Sequence, residues 1–393
     1  MFPLDTFLRE LTHLPHRGAA TPCESEAAQL LENYLTQMEA DVQTELFRTP
    51  KTYVTVVYWL LGGLVFGLLL VPYLTVTALV LVWLFVVLAW LFFNWRYSPV
   101  TRFPLQHMAR NVIGRWPAQN NQKPVSKVIL MAHYDTAPVS LLYTSSLVGN
   151  FRGSMILSLG LMVASALGAT LEVLGWGLPY VTYLRYGCMG YFAVQAVLAT
   201  AGYWLYGYTN GASDNATGVA AALAVADRLR QANIPHMDLE VVLTSAEEAG
   251  MIGSQHYVQE HRSDWPAGRT AVINFDTLGA GKLTLIEKTG TIEPILYDNP
   301  LTQLARRLIE QENFQHHVQT GEWHTADFDS IWLVRAGVPV ITLCALDENK
   351  QMPRIHRRDD TLAAVELEAL TTAVDFAGAL AYQWTTVRQL TAS

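Results

Sequence analysis

The chain has 393 residues, 51% of them hydrophobic and 15% charged, with a formal net charge of −8. That length suits one large domain or two, and the charged share lies below the roughly 25% of soluble domains. The acidic balance and the lack of a basic stripe argue against a nucleic-acid partner. The three cysteines, Cys23, Cys188 and Cys344, form no CxxC pair. No structural disulfide is expected, which favours a reducing compartment.

In chain order, the opening "MFPLDTFLREL" is charged and amphipathic. It lacks a basic segment leading into an apolar core, so a cleaved signal peptide is not expected. Apolar spacing predicts a helix over 23–39 and a strand over 41–47. From Thr52 to Trp95 there is no Asp, Glu, Lys or Arg. One membrane crossing takes about 20 apolar residues, so this stretch predicts two helices, 53–71 and 73–95, broken at Val71–Tyr73. Gly63 and Gly67 have a spacing that permits close helix contact, or are simply tolerated in an apolar helix. Tyr53, Tyr58, Trp59, Trp90 and Trp95 suit interfacial belts.

Strands follow at 111–116 and 127–133. From Gly153 to Ser213 the only charged residues are Glu172 and Arg185. This predicts a second hairpin, 154–177 and 186–208, with both charges near the connecting turn, where they reach the interface. The alternative is a buried helix pair, but four near-spanning segments are hard to bury without lipid. Beyond lie a helix at 217–232, strands at 239–245 and 270–276, a helix at 300–313, a strand at 337–344 and a long amphipathic helix at 366–384. The alternation outside the apolar stretches is that of an α/β domain.

Two hairpins each return the chain to its starting side. The expected organisation is therefore one domain assembled from 1–51, 96–152 and 209–393, interrupted by transmembrane hairpins at 52–95 and 153–208. Arg48, Lys51, Arg96, Arg102 and Arg152 flank the apolar helices on the domain side, and the turns carry only Arg185. The positive-inside rule then places the domain on the cytoplasmic face of a multi-pass membrane protein.

Five places repeat one pattern, an apolar strand followed by residues that bind metals. "VILMAHYDTA" supplies His133 and Asp135, and "GASDNATGVA" supplies Asp214. "TSAEEAGMIGS" supplies Glu247 and Glu248, "AVINFDTLGA" supplies Asp276, and "MPRIHRRDDT" supplies His356. Singly, each has an ordinary explanation, such as an N-cap for Asp214 or a solvated pair for the glutamates. Jointly they suit a pair of divalent ions, because loops at the carboxyl ends of strands converge and imidazole with carboxylate suits zinc. Asp135, two residues after His133, can accept the imidazole's other N–H.

These motifs resemble those of the M28 metallopeptidases, the two-zinc aminopeptidase-like family. The matches are H-x-D at 133–135, D-N-x-x-G at 214–218, E-E-x-G-x-x-G-S at 247–254, F-D at 275–276 and I-H-x-x-x-D-T at 355–361, with "NVIG" at 111–114 resembling the family's preceding strand. The resemblance covers the soluble part and not the hairpins. It implies a mixed-sheet α/β/α zinc-exopeptidase domain, to which the hairpins add about four transmembrane helices. It further implies two zinc ions per chain and a peptide substrate. Asp214 would bridge the ions, His133 and Asp276 would complete one site, and Glu248 and His356 the other. Glu247 would be the general base, and Asp214–Asn215 a cis peptide.

The sequence departs from the family pattern at Thr136, where Ser is common, and at "HTADFDSIWLVRAGVP", where Trp323 and His324 stand near the place of an oxyanion-holding aromatic hydroxyl. His324 is a candidate oxyanion donor or a turn cap. The second hairpin is inserted between Asp135 and Asp214, which predicts an active-site rim at or near the bilayer. The rival readings are glutaminyl cyclisation, expected of one zinc, and a non-catalytic receptor or transporter on the same fold. Intramembrane proteolysis would need polar groups within the helices beyond Glu172. The oligomeric state is not readable from the chain.

Overall fold

The computed structural model describes residues 2–118, 125–176 and 179–392. Its helices are α1 (Leu4–His13), α2 (Pro22–Gln37), α3 (Tyr53–Leu70), α4 (Thr75–Phe93), α5 (Phe151–Val173), α6 (Pro179–Tyr206), α7 (Thr217–Ala232), α8 (Ile252–His261), α9 (Pro300–Ile309), α10 (Ile331–Arg335) and α11 (Leu367–Ala392). Its strands are β1 (Asp41–Thr49), β2 (His107–Trp116), β3 (Ser126–His133), β4 (Met237–Thr244), β5 (Thr270–Phe275), β6 (Lys282–Thr289), β7 (Ile295–Leu296), β8 (Val318–Glu322) and β9 (Val340–Leu346).

The strands form one nine-stranded mixed sheet in the order β1-β2-β4-β3-β5-β9-β6-β7, with β8 paired to β6. The middle strands β4, β3, β5 and β9 are parallel; β1 and β2 form an antiparallel flank, and on the far side β6 is antiparallel to β9 and β7 and parallel to β8. Parallel strands are covered on both faces and therefore read as unbroken apolar runs; "VILMA" in β3 and "VVL" in β4 are of this kind, and all are buried. One face carries α1, α2, α7, α9 and α11, and the other carries α8 and α10. The alanine-rich α7 lies between β3 and α11, where small side chains let its backbone approach both. At the start of α2, Thr21 accepts from the Glu24 N–H and Pro22 occupies the first turn, the usual chemistry of a helix start.

The sequence pattern located the middle of the sheet and missed its far flank. β6, β7 and β8 alternate poorly, and their pairing is long-range. The helix predicted over 300–313 ends at Ile309.

Helices α3, α4, α5 and α6 are each long and apolar enough to cross a membrane. They form a ring: α3 packs on α4 and α6, and α5 packs on the same two. Gly63 faces the Phe85 ring and Gly67 faces Val82, so these glycines permit the close approach of α3 and α4. Arg185 lies two turns inside α6 rather than at the connecting turn. It is buried, lies 3.2 Å from Glu172 and donates to the Leu68 carbonyl at 3.0 Å. The correction has a physical reason, since a guanidinium is tolerated within an apolar bundle when a carboxylate and a helix-end carbonyl both receive it.

Glu240 on β4 is buried, ion-paired to Lys127 and 3.5 Å from Arg115, and accepts from Tyr257. Burial alone would raise its pKa, but the two cations outweigh that and hold the carboxyl below its ordinary range. A lowered folded pKa contributes stability that is present above the unfolded value and lost as pH falls through the folded one. Glu240→Gln is therefore expected to lower the melting temperature by several degrees at neutral pH. The gap from wild type should narrow in acid, below the ordinary glutamate range, as thermal scans across pH would show.

Candidate metal centre

β3, β4 and β5 end side by side, and their next residues share one space. His133 closes β3, the loop after β4 carries Glu247 and Glu248, and Asp276 follows β5. Asp214 stands just before α7, at a cis peptide bond to Asn215. His356 comes from the loop after β9.

Asp214 lies between two groups. Its Oδ1 is 3.3 Å from His133 Nε2, and its Oδ2 is 3.5 Å from His356 Nε2. Asp276 Oδ2 lies 3.6 Å from His133 Nε2, and Glu248 Oε2 lies 3.1 Å from His356 Nε2. The five residues thus form two clusters sharing Asp214, His133–Asp214–Asp276 and Asp214–Glu248–His356, in each of which one ligand atom per residue lies within 4.8 Å of the others. The separations mostly exceed those of good hydrogen bonds, and Glu248 Oε1 is buried without a hydrogen-bond partner. Acceptors facing acceptors at this burial are costly. A divalent cation in each cluster removes that cost, so the donor set fits metal, and its mixture of imidazole and carboxylate suits zinc.

Burial, reinforced by neighbouring carboxylates, pushes the Glu247 and Glu248 carboxyls well above the usual range. Burial would also raise Asp214, but His133 beside it holds that carboxyl below its ordinary value. Burial lowers His356.

The supports are hydrogen bonds between loops. Asp135 accepts from the Glu247 and Glu248 N–H groups at 3.1 and 3.2 Å, and its Oδ1 is 3.6 Å from His133 Nδ1. It therefore ties the H-x-D turn to the glutamate loop as well as facing the imidazole. The Asn215 side chain donates to the Phe275 carbonyl and accepts from the N–H groups of Gly218 and Thr277, which joins the Asp214 turn to the Asp276 turn. Asp360 accepts from the N–H groups of Ser213 and Asp214. Buried Arg17 donates to the carbonyls of Tyr134, Asn210 and Gly211, and its own N–H donates to Thr136 Oγ1. Sequence reading named no role for Arg17, Asn215 or Asp360. Asn215 and Asp360 lie inside quoted motifs, whereas nothing local marks Arg17.

His324 is not brought to the clusters. Its Nδ1 is 3.0 Å from the Gly290 carbonyl and its Nε2 is 2.9 Å from Glu322, so both nitrogens are engaged elsewhere. Trp323 and Asp327 do line the cavity over the clusters, together with Tyr53 and Tyr143. Asp327 accepts from Thr289 and the Phe328 N–H, and burial pushes it to about 7.

Residues 193–381 match the model of Peptidase family M28, the family that the motifs resemble. His133 and Asp135 lie before the matched span. A zinc aminopeptidase from Bacillus subtilis matches at 14% identity and a TM-score of 0.56, covering 98% of this chain and 95% of its own. A Zn-dependent exopeptidase from Parabacteroides distasonis matches at 13% and 0.57, over 97% and 98%. The glutaminyl cyclase of Tannerella forsythia matches at 14% and 0.58, over 97% and 99%. At such identities these likenesses show a shared fold. Peptidase T of Edwardsiella ictaluri is 30% identical over 145 residues, 36% of this chain. The chain spans about 30% of that relative's length.

Asp135→Ala is expected to lower zinc affinity about 10- to 100-fold, because it frees both the imidazole and the glutamate loop; competition with a chromogenic chelator measures this. Stripping the metal should lower the melting temperature, and added zinc should restore it, since a ligand that binds only the folded state stabilises it.

Proposed function

We propose that this protein is a membrane-anchored zinc exopeptidase, most readily an aminopeptidase, with two zinc ions per chain. The observation that carries the reading is the position of Asp214 between His133–Asp276 and Glu248–His356, with Glu247 lining the same cavity. Zinc held there would lower the pKa of water and polarise the scissile carbonyl.

The chain's own groups do the rest. Glu247 takes the proton of the attacking water and passes it to the leaving amine. Asp135 keeps His133 oriented and, through two backbone N–H groups, keeps Glu247 and Glu248 in register with it.

Glutaminyl cyclisation is the alternative that the structural likenesses support. Two donor clusters in place of one favour the peptidase. The four apolar helices serve as the anchor, and the basic residues at their domain-side ends favour a cytoplasmic peptidase domain.

Glu247→Gln is expected to reduce kcat on aminoacyl anilides by about 10²- to 10⁴-fold while zinc content, read by plasma emission, stays at the wild-type level. Retained hydrolysis with metal bound would remove Glu247 from the role of base. A metal content of one ion per chain, with cyclisation of N-terminal glutamine, would favour the alternative.

A further inference from the structure

The cavity over the clusters does not end at the peptidase domain. Its volume is about 220 Å³, and its walls include His133, Asp214, Glu248 and His356 at one end. At the other end they include Leu60 and Leu61 of α3, Met162 of α5, and Phe192 and Ala199 of α6. One space thus runs from the candidate zinc ligands into the ring of four apolar helices.

The feet of the second hairpin hold the two parts together. Val139 N–H donates to the Gly207 carbonyl and Thr209 N–H to the Ala137 carbonyl, both at the loop that follows His133 and Asp135. Ser140 N–H donates to the carbonyl of His356. The helix bundle is therefore pinned to the ligand loops on both sides.

The chemistry of the walls selects the occupant. A polypeptide lying between the helices would bring an N–H and a C=O for every residue, each needing a partner. Among the polar side chains of α5 and α6 here, Ser158, Tyr191 and Gln195 are engaged with one another. Ser158 donates to the Ser154 carbonyl and lies 2.8 Å from the Tyr191 hydroxyl, to which Gln195 donates at 3.0 Å. Leu60, Leu61, Met162, Phe192 and Ala199 make the wall between the helices hydrocarbon and aromatic. A saturated chain brings no polar group and is matched to it.

We propose that the site hydrolyses amides of amino acids that carry a long hydrocarbon chain, with the chain lying between the transmembrane helices and the amide at the ligand clusters. This inference rests on the zinc-peptidase reading and narrows its substrate class. The reaction is ordinary hydrolysis. Water oxygen bonds to the carbonyl carbon, the C–N bond breaks, and the nitrogen takes a proton and leaves as the amine. The chain is attached either to the carbonyl, as in an N-acyl amino acid, or to the leaving nitrogen, as in an aminoacyl alkylamide.

The test uses the full-length, zinc-loaded protein in phosphatidylcholine vesicles. Two substrate series, N-acyl-alanines and alanyl-alkylamides, run from short to palmitoyl-length chains, beside an unadorned alanyl anilide and an apolar peptide. The expected result is a kcat/KM that rises with chain length in one series by up to about fourfold per buried methylene, then levels off when the cavity is filled. Ala199→Trp and Leu60→Trp should each lower the ratio of long-chain to short-chain kcat/KM by about tenfold or more. Because the readout is a ratio within one preparation, a variant that folds in low yield still reports. Cleavage of the alanyl anilide with no dependence on chain length overturns the inference and leaves the peptidase reading standing. A rise that both series share and neither tryptophan alters is partitioning into the vesicle, and also overturns it. So does a preference for the apolar peptide. Absence of all amide hydrolysis overturns the peptidase reading and this inference with it.

Discussion

Four carboxylates, from Asp214, Glu247, Glu248 and Asp276, share one mostly buried space at the carboxyl ends of the central strands. Like charges at such separations in low dielectric repel strongly. The rest of the molecule is organised around making that arrangement tolerable. His133 and His356 stand among the carboxylates, and the two clusters that result are each of a size and chemistry to take a divalent cation. Burial pushes the Glu247 and Glu248 carboxyls well above their usual range, while His133 holds Asp214 below its own.

Most of the candidate ligands sit on loops, and loops hold geometry poorly unless they are tied. Here each tie joins two ligand-bearing segments. Asp135 links the end of β3 to the glutamate loop, and Asn215 links the start of α7 to the end of β5. Asp360 links the His356 loop to Asp214, and Arg17 brings the N-terminal segment across the H-x-D turn and the turn before Asp214. Each is a side chain bonding to backbone, so it fixes where the next ligand points rather than supplying one. This is the usual way in which ligating groups are oriented from behind.

The apolar hairpins are part of the same arrangement. The second one leaves and re-enters the domain beside the H-x-D turn, and its feet are paired backbone to backbone. The α3–α6 ring therefore stands over the clusters. An anchor alone would have no need of that position. The insertion between Asp135 and Asp214 emerges on the face where the candidate ligands gather.

Much of the protein was legible in the sequence for a local reason. Apolar runs set the parallel strands and the four long helices, because burial on all sides leaves no alternation to read. Motifs named the candidate ligands: His133 ends β3, Glu248 and Asp276 follow β4 and β5 closely, Asp214 precedes α7, and His356 lies in the loop after β9. What the chain could not disclose locally was decided by tertiary contact. β6 and β8 are strands because distant partners complete their hydrogen bonds. Arg185 is buried because Glu172 and the Leu68 carbonyl meet it from two other helices. His324 turns away because Gly290 and Glu322 engage both its nitrogens. Arg17, with nothing around it to mark its use, reaches three carbonyls only after the chain folds over it. The continuity of the cavity is of the same kind: sequence fixes which surfaces are apolar, but only packing decides that an apolar space opens onto the ligand clusters.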